Sequence, residues 1–507
     1  MTFDQLLQGA EVLSRTGNPP VSGIEYDSRR VKPGDLFVAM RGESSDGNQF
    51  IDRAVEAGAV AIVTDSAAEK PRANVAWAQV AHGRRALARL SANFYKRPAE
   101  RLAITGITGT NGKSTVAFLV ESILVAAGRK SALVGTIEYH VAGKVLPAPH
   151  TTPEALDLSR ILSEALGNGA TEAVMEVSSH ALAQQRVYGI PFDVAVFTNL
   201  TRDHLDYHHT MEEYFAAKQV LFEGCGTDAP RAAVINLEDE YGQKLVEISR
   251  KLSAEVLTYG FARGDFHAEK PEITSRGTRF DLVTPADTIP VFSPLIGRVN
   301  VFNVIAAAAA GYARGCKPEE ILKGIENLRR VPGRFERVDC NQPFTVVVDY
   351  AHTDDALRNL TALAREFVRQ AGHGSRVITV FGCGGDRDRA KRPLMGEAAG
   401  RGSDFVVLTS DNPRSEDPLA IINDAMVGLQ RAGAKYAVES DRRAAIAMAV
   451  AEAGPGDIVL IAGKGHEKVQ ITREGSRPFD DVEVAHLALQ AAGYSCEAAN
   501  AAAGKNA

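Results

Sequence analysis

A glycine-rich stretch, Thr105–Thr115, contains the residue types needed to hold a phosphate group. It follows an apolar run at 102–104 and precedes an amphipathic run at 116–127, so the predicted order is strand, glycine-rich turn, helix. Backbone N–H groups of such a turn, together with the positive end of the helix, suit an anion. Lys113 adds a positive charge, and the Ser114 hydroxyl is able to join the coordination shell of Mg²⁺. The stretch therefore predicts a nucleotide-phosphate site.

The glycine spacing of this stretch departs from the strict P-loop pattern. That pattern requires a glycine five positions before Gly112, where this chain has Ile107, and glycines lie instead at Gly106 and Gly109. A turn that only caps a helix remains the simpler alternative, but it does not account for the Gly-Lys-Ser-Thr order. We interpret the stretch as a variant phosphate loop.

Composition limits the class of protein. A chain of 507 residues predicts about three domains. The net charge of -6 gives no support to a nucleic-acid partner, and no apolar run is long enough for a membrane span. The first residues lack the basic and apolar pattern of a secretion signal. The cysteines, odd in number and without paired spacing, argue against a disulfide framework or a zinc site; they are Cys225, Cys316, Cys340, Cys383 and Cys496. These features together favour a cytoplasmic location.

Residues 1–98 are expected to form a small α/β unit without a phosphate loop. A helix at 50–57 and a strand at 60–63 support this assignment. The polar cluster Asp27, Ser28 and Arg29 is able to hold a nucleotide or sugar head group, although a plain surface turn is the favoured interpretation at this point.

Residues 99–336 alternate apolar strands with helices, which predicts a parallel sheet covered by helices. Ligands of such sheets lie beyond the carboxyl ends of the strands. Two polar clusters, Glu176–His180 and Asn199–Asp206, follow strands of this unit and predict a metal–phosphate site near the glycine-rich loop. Asn300 and Asn303, three residues apart, share one helix face where they could cap or read a base.

Residues 337–495 are predicted to form a second doubly wound sheet, and residues 496–507 a disordered tail. Four strands each end in a polar segment; the segments are 350–353, 382–387, 410–414 and 462–467. A further basic cluster either binds an anion or forms a solvated helix start; it consists of Arg387, Arg389, Lys391 and Arg392 beside Gly384 and Gly385.

Five ordered motifs together resemble the Mur ligases of peptidoglycan synthesis. The motifs are Thr108–Thr115, Glu176–His180, Thr201–Asp206, Gly333–Glu336 and Asp349–His352. The resemblance runs from about residue 20 to about residue 490 and accounts for the unusual glycine spacing. It implies an α/β protein of three domains: a UDP-binding N-terminal domain, a central P-loop-type ATP-binding domain, and a Rossmann-like C-terminal domain that binds an amino acid.

The activity implied by the resemblance is ATP-driven amide bond formation. ATP would phosphorylate the side-chain carboxylate of D-glutamate in UDP-N-acetylmuramoyl-L-alanyl-D-glutamate, and an amine would then displace phosphate from the acyl phosphate. A carboxylate is a poor electrophile, so one of its oxygens must first become a good leaving group. Because the carboxylate and the triphosphate repel each other, Lys113 and Mg²⁺ are needed to screen their charges.

The resemblance also assigns roles to individual residues. Lys113, Glu176, His204 and Lys218 would be catalytic. Ser114 and Glu176 would hold one Mg²⁺ and His204 a second, with Lys218 as a carbamate (N6-carboxylysine) that is also able to bind metal. Taken alone, Lys218 is an ordinary helix lysine. The ATP-contacting positions would be Gly109, Thr110, Asn111, Gly112, Lys113, Ser114, Thr115, Asn303, Arg334 and Asp349. The muramoyl-dipeptide positions would be Tyr26, Ser28, Thr151, Thr152, Ser178, Gln184 and Arg186.

The segment Asp411–Arg414 resembles the signature of members that add meso-2,6-diaminopimelate, because it supplies an arginine for the distal carboxylate. The implied contacts are Arg387, Asp411, Asn412, Pro413, Arg414, Gly463 and Glu467. An L-lysine-adding homologue, a folylpolyglutamate synthetase relative, a motor-type NTPase and a nucleotide-binding module without ligase activity remain alternatives. We expect a monomer with no nucleic-acid or membrane partner.

Overall fold

The computed structural model describes residues 1–43, 45–252, 255–274, 276–371 and 374–496. Within these residues the strands form five sheets, and three of them are the mainly parallel sheets of separate α/β units. No helix in this part of the chain is long and apolar enough to cross a membrane. Most of the predicted disordered tail, residues 497–507, lies outside the described residues.

The N-terminal unit has a sheet of five strands in the order β1-β5-β4-β3-β2, with only β1 antiparallel to its neighbour. Every residue of β3 and β4 is buried, as expected for strands covered on both faces. The strands are β1 (Val12–Thr16), β2 (Gly23–Glu25), β3 (Asp35–Ala39), β4 (Ala61–Thr64) and β5 (Ala76–Val80), and the helices are α1 (Phe3–Leu6), α2 (Ile51–Glu56) and α3 (Gly83–Phe94).

The central unit has a sheet of eight strands in the order β13-β12-β11-β6-β10-β7-β8-β9, parallel from β13 to β7. Its strands are β6 (Ala103–Thr108), β7 (Ser131–Val134), β8 (Glu138–Val141), β9 (Lys144–Pro147), β10 (Glu172–Glu176), β11 (Val194–Phe197), β12 (Ala232–Asn236) and β13 (Glu255–Tyr259). Its helices are α4 (Lys113–Ala126), α5 (Ala155–Gly167), α6 (Ser179–Ala183), α7 (Leu205–His208), α8 (Met211–Glu223), α9 (Glu240–Lys251), α10 (Arg298–Ala313) and α11 (Pro318–Asn327).

The strand order of the central sheet places the phosphate loop between the two polar clusters. β6, which leads into the loop, pairs with β10 on one side and with β11 on the other. The segments that begin at Glu176 and at Asn199 therefore emerge at the same sheet edge as the loop. The predicted convergence of three polar strand ends is confirmed.

One part of the central unit was not predicted from the sequence. Strands β14 (His267–Thr274), β15 (Gly277–Val283) and β16 (Thr288–Ser293) form a separate antiparallel sheet that packs on α10 and α11. α10 is alanine-rich and buried on nearly every side, because β14 covers one side of it and α4 and β12 others. Its small side chains allow this close packing.

The C-terminal unit has a sheet of six strands in the order β17-β18-β22-β19-β20-β21, parallel except for β17. Its strands are β17 (Glu336–Val338), β18 (Thr345–Asp349), β19 (Val377–Phe381), β20 (Phe405–Leu408), β21 (Tyr436–Val438) and β22 (Ile458–Ala462), followed by a hairpin of β23 (Val469–Thr472) and β24 (Gly475–Pro478). Its helices are α12 (Asp354–Ala371), α13 (Lys391–Gly402), α14 (Pro418–Arg431), α15 (Arg442–Glu452) and α16 (Asp481–Ala491). The four predicted polar segments follow adjacent strands. The exact unit boundaries at 98 and 336 stay predictions.

The expectation of unpaired cysteines was wrong for one pair. Cys340 and Cys496 form a disulfide although 156 residues separate them in sequence. Cys340 follows β17 and Cys496 follows α16, so packing of the last helix against the sheet brings the two thiols together. Sequence spacing carries no signal for such a contact. The remaining cysteines are buried and free.

A fully buried ion pair holds two of the four polar segments in place. The guanidinium of Arg442 donates to Asp481 Oδ1 (2.8 Å) and Oδ2 (2.7 Å), and neither side chain is exposed to solvent. The same guanidinium donates to the carbonyl of Ala462 at 3.0 Å and to that of Ser410 at 3.5 Å. It thus ties the ends of β22 and β20 to α16.

We predict that Arg442→Met lowers the free energy of unfolding of the C-terminal unit by about 3–5 kcal/mol, because Asp481 would be left buried without its partner. The measurement is hydrogen exchange of the C-terminal sheet by mass spectrometry, since the single tryptophan, Trp77, lies in the N-terminal sheet. The control is Arg443→Met, an exposed arginine on the same helix, which should change exchange little. Equal exchange in the two variants would contradict the prediction.

Candidate active site

The phosphate loop is shorter than the sequence suggested. β6 continues to Thr108, and α4 begins at Lys113, so the turn comprises residues 109–112. Gly106 lies inside the strand, where an added Cβ would approach the ring of Phe192 to 2.7 Å. Its role is packing. At Gly112, φ is +89° and a Cβ would lie 2.5 Å from Asn303 Oδ1, so glycine is required there by both conformation and space.

Two lysines converge on this loop, Lys218 buried and Lys113 partly buried. Lys113 Nζ donates to the carbonyls of Gly109 (3.0 Å) and Thr110 (2.8 Å), and Lys218 Nζ donates to the same Gly109 carbonyl at 2.9 Å. Burial lowers the pKa of both ammonium groups, and the charge of Lys113 lowers the pKa of Lys218 further. Lys218 also lies over the ring of Tyr214. Tertiary packing therefore makes Lys218 unlike an ordinary helix lysine.

Glu176 is held at the end of β10 by a residue that sequence reasoning did not single out. The backbone N–H of Thr136 donates to Glu176 Oε1 and its hydroxyl donates to Oε2, both at 2.8 Å. Glu176 is 1% exposed. Thr136 follows β7, the neighbour of β10, so its place after a strand at this edge was the available signal. Each carboxylate oxygen still has a free lone pair for a ligand.

His204 lies opposite, at the end of β11. Burial lowers its pKa to about 3, which leaves a neutral imidazole. Its ring packs edge-on against His180, with ring centroids 4.8 Å apart. Among the described residues no group of three or more His, Cys, Asp and Glu side chains is arranged to hold a metal ion. The chain thus offers isolated metal-binding groups: the hydroxyl of Ser114, the carboxylate of Glu176 and the imidazole of His204.

Two ion pairs connect this edge to the C-terminal unit. Arg202 pairs with Asp388, and Asp203 pairs with Lys391, both at 3.4 Å. Each unit therefore contributes one positive and one negative side chain. Asp203 and Lys391 are buried. Burial alone would raise the pKa of Asp203, but the charge of Lys391 holds it below its usual range.

Most side chains of the basic cluster at the start of α13 form such ion pairs. Arg389 binds Asp424, and Arg392 binds both Glu416 and Asp424, while Lys391 binds Asp203. The sequence left an anion site and a solvated helix start as alternatives for this cluster. Arg389, Lys391 and Arg392 instead form ion pairs with acidic side chains, whereas Arg387 has no carboxylate partner among the described residues. Local sequence shows their charges but not the acidic partners supplied by α14 and by the central unit.

A cavity of ≈ 190 Å³ lies between the two units and brings most of the predicted amino-acid contacts together. Its lining includes Asp203 and His204 from the central unit, and Arg387, Asp411, Asn412, Arg414, Gly463 and Glu467 from the C-terminal unit. Pro413 does not line it. Neither Arg387 nor Arg414 forms an ion pair with a carboxylate in the described part of the chain; Arg414 Nη1 donates to the Gly385 carbonyl at 2.8 Å. Two guanidinium groups therefore remain available to a ligand.

A second, larger cleft of ≈ 670 Å³ lies between the N-terminal and central units. Tyr26, Ser28, Gln184 and Arg186 line it as predicted. The polar cluster at 27–29, interpreted as a plain surface turn, lines this cleft too. The predicted Thr151, Thr152 and Ser178 lie nearer Glu176: Thr151 Oγ1 bonds Thr136 Oγ1, and Thr152 Oγ1 donates to the Glu176 carbonyl and accepts from Ser178 N.

Arg186 was expected to bind a carboxylate of the ligand, but it already forms an ion pair with a carboxylate of the chain. Its Nε lies 3.0 Å from Glu154 Oε1, and its Nη1 donates to the Thr152 carbonyl at 2.9 Å. Arg84 of the N-terminal unit shares Glu154 at 3.5 Å. Glu154 was not identified from the sequence.

A third cavity of ≈ 300 Å³ adjoins the phosphate loop and has an aromatic and amide lining. Asn111 and Asn303 reach it as predicted, whereas Tyr259, Arg298 and Phe302 were missed. The Asn300 side chain instead accepts from Asn303 Nδ2.

The other two predicted ATP contacts, Arg334 and Asp349, do not line this cavity. Arg334 Nη2 donates to Ser114 Oγ at 3.3 Å, which brings its guanidinium to the phosphate loop. Asp349 instead accepts hydrogen bonds from the backbone N–H groups of Phe335 and Ala351. Its carboxylate therefore holds the backbone before β17 against the end of β18.

Most of the chain matches one family of proteins. Residues 20–95 match the model of the Mur ligase family catalytic domain, residues 107–311 the Mur ligase middle domain, and residues 333–465 the Mur ligase glutamate ligase domain. Two relatives carry the name UDP-N-acetylmuramoyl-L-alanyl-D-glutamate–2,6-diaminopimelate ligase. The protein from Solibacter usitatus is 55% identical over 94% of each chain, and that from Geobacter metallireducens is 46% identical over 91% of this chain and 93% of its own.

Solved structures agree with this match. A structure of a ligase with the same name is 34% identical, covers 98% of this chain and 100% of its own, and superposes with a TM-score of 0.67. The MurF ligase from Thermotoga maritima in complex with ADP covers 93% of this chain and 97% of its own, with a TM-score of 0.65 and 19% identity. The latter comparison supports the three-domain fold.

We predict that Lys391→Met loosens the contact between the central and C-terminal units, because it leaves Asp203 buried without a counter-charge. Small-angle X-ray scattering should show a larger radius of gyration for this variant. The double variant Asp203→Asn with Lys391→Met should recover much of the parent value, since both charges are then removed. The control is Arg389→Met, whose ion pair lies within the C-terminal unit. A single variant with the parent radius would contradict the prediction.

Proposed function

The chain belongs to the Mur ligase family, and from that premise we propose that it is the ATP-dependent ligase that adds meso-2,6-diaminopimelate to the D-glutamate side-chain carboxylate of UDP-N-acetylmuramoyl-L-alanyl-D-glutamate. The observation that carries the proposal is the cavity between the central and C-terminal units. It combines two unpaired guanidinium groups with a carboxylate, next to His204 and the phosphate-loop edge. This chemistry suits an amino acid with a second carboxylate and a second ammonium.

The three cavities suit three substrates. The cleft between the N-terminal and central units suits the nucleotide-linked dipeptide, because arginines that are able to bind phosphate line it. The cavity beside Asn303 suits the adenosine of ATP, since Tyr259 and Phe302 provide aromatic surface and the asparagines provide polar groups. The phosphates of ATP would then lie over the N-terminus of α4.

The reaction needs two anions, a carboxylate and a triphosphate, to approach each other. Lys113 would neutralise part of this charge after leaving the Gly109 and Thr110 carbonyls. The γ-phosphoryl group moves to the D-glutamate carboxylate, and ADP leaves. The amine of diaminopimelate then attacks the acyl carbon, the bond to phosphate breaks, and the amine loses its proton. Burial of the site excludes water, which would otherwise hydrolyse the acyl phosphate.

The residues of the site fit Mg²⁺ in the form usual for nucleotide enzymes, with few protein ligands and the rest from phosphates and water. Ser114 and Glu176 would hold one ion and the neutral imidazole of His204 a second. When bound, Mg²⁺ would neutralise charge on the phosphates. The lowered pKa of Lys218 supports its carbamylation, because the neutral amine is the form that reacts with CO₂. A cytoplasmic location and a monomeric state stay predictions.

The test is an amino-acid-dependent phosphate-release assay with ATP and the UDP-muramoyl dipeptide, comparing meso-diaminopimelate with L-lysine. Release only with diaminopimelate is expected. A preference for L-lysine would indicate the lysine-adding homologue, and release that does not depend on the amino acid would indicate an NTPase. No release under any condition would favour a nucleotide-binding module.

We predict that Arg414→Ala reduces diaminopimelate-dependent turnover by an amount equivalent to about 2–5 kcal/mol, because the distal carboxylate would lose its guanidinium partner. ATP affinity should remain near that of the parent. Arg473→Ala, an exposed arginine in the nearby hairpin, serves as the control and should leave turnover unchanged. Comparable turnover by Arg414→Ala and the parent would refute the role of Arg414.

A further inference from the structure

Lys464 is a fully buried lysine that no part of the proposed chemistry uses. It follows β22 between Gly463 and Gly465, which both have positive φ, and its side chain turns inward with 0% exposure. Its Nζ donates to Asn412 Oδ1 at 3.0 Å and to Glu467 Oε2 at 2.9 Å, and lies 3.6 Å from Asp411 Oδ1. All three partners line the amino-acid cavity, whereas Lys464 itself does not.

These bonds determine which way the Asn412 amide faces. Its Oδ1 accepts from Lys464 Nζ and from the backbone N–H of Ile471 at 2.9 Å. Its Nδ2 donates one hydrogen to Glu467 Oε2 at 2.8 Å. An amide nitrogen carries two hydrogens, so one N–H remains for a ligand. A rotated amide would place its nitrogen against the ammonium of Lys464 and the N–H of Ile471, which is unfavourable.

The same bonds give the two carboxylate oxygens of Glu467 different roles. Oε2 is taken by Lys464 and Asn412, so Oε1 is the oxygen left for a ligand. Asp411 Oδ1 is also buried and has no hydrogen-bond partner among the described residues, and the nearby ammonium compensates its charge. Without Lys464, two carboxylates and an amide oxygen would lose the ammonium group that lies within 3.6 Å of each of them.

We propose that Lys464 is a positioning residue for amino-acid selection. By holding Asn412 and Glu467, it makes the cavity present one amide N–H and one carboxylate oxygen beside the guanidinium groups of Arg387 and Arg414. Donors of this kind bind a carboxylate, and the carboxylate oxygen binds an ammonium. Lys464 therefore favours an amino acid whose distal end carries both groups over one with an ammonium alone. This inference rests on the proposed function.

The experiment measures phosphate release at varied diaminopimelate, L-lysine and ATP for the parent, Lys464→Met, Lys464→Gln and Lys468→Met. Lys464→Met should raise the KM for diaminopimelate by about tenfold or more, as expected when a residue that orients a binding group is lost. Its KM for ATP should stay within about twofold of the parent, and its preference for diaminopimelate over L-lysine should fall. Lys464→Gln, which keeps a donor, should be intermediate.

Lys468→Met is the matched control, because this lysine is exposed and pairs with Asp480, away from the amino-acid cavity. A double-variant cycle with Asn412→Ala separates positioning from general stability. If Lys464 acts through Asn412, adding Lys464→Met to Asn412→Ala should change the KM for diaminopimelate by less than about threefold. Melting temperatures and ATP affinity identify a variant that has failed to fold, in which case Lys464→Gln carries the test.

Three results would overturn the inference: an unchanged KM and preference in Lys464→Met and Lys464→Gln, equal rises in the KM for diaminopimelate and ATP, or full additivity with Asn412→Ala. Failure of the proposed function would give a different result from failure of this inference. In that case the parent itself would release no phosphate in response to diaminopimelate, and the inference would fall with it.

Discussion

The ion pair between Asp203 and Lys391 is the interaction on which the arrangement of the site depends. It joins the edge of the central sheet to the start of α13, at the wall of the cavity that both units form. Both side chains are buried, so their charges are expensive to leave unpaired. The pair helps to keep the phosphate loop facing the amino-acid cavity, together with the hydrogen bonds from Asn111 to Asp355 and from Arg334 to Ser114. The partly buried Arg202–Asp388 pair joins the same two units beside it.

Three lysines, two buried and one partly buried, illustrate how differently one residue type is used around this contact. Lys113 and Lys218 donate to backbone carbonyls, which satisfy hydrogen bonds but supply no negative charge. The ammonium form is therefore disfavoured, and both pKa values fall. Lys464 lies beside two carboxylates and an amide oxygen, which compensate its charge. The first two are suited to chemistry with anions and CO₂, and the third is suited to holding a binding pocket in shape.

Much of the site was predictable because its residues follow strands of parallel sheets. Glu176 is the last residue of β10, and His204 lies in the segment that follows β11. Both strands pair with β6, which leads into the phosphate loop, and the carboxyl ends of parallel strands share one edge. Arg414, Asn412 and Glu467 were predictable in the same way. The residues that pair with site residues were harder to predict. Thr136 offered only its place after a strand at this edge, and no local pattern shows that Lys391 pairs with Asp203 or that Glu154 pairs with Arg186. Their roles depend on partners that are distant in sequence.

The sequence by itself determined the α/β class, the phosphate loop, the family and the residues whose chemistry suits the reaction. These are local properties, set by periodicity, by residue type and by short spacing. Only the tertiary structure decided that Gly106 packs against Phe192, that Cys340 meets Cys496, and that Lys218 is buried. It also decided which arginines of the basic cluster remain free for a ligand. Burial and pairing are set by distant segments that pack together, and a sequence read locally does not contain that information.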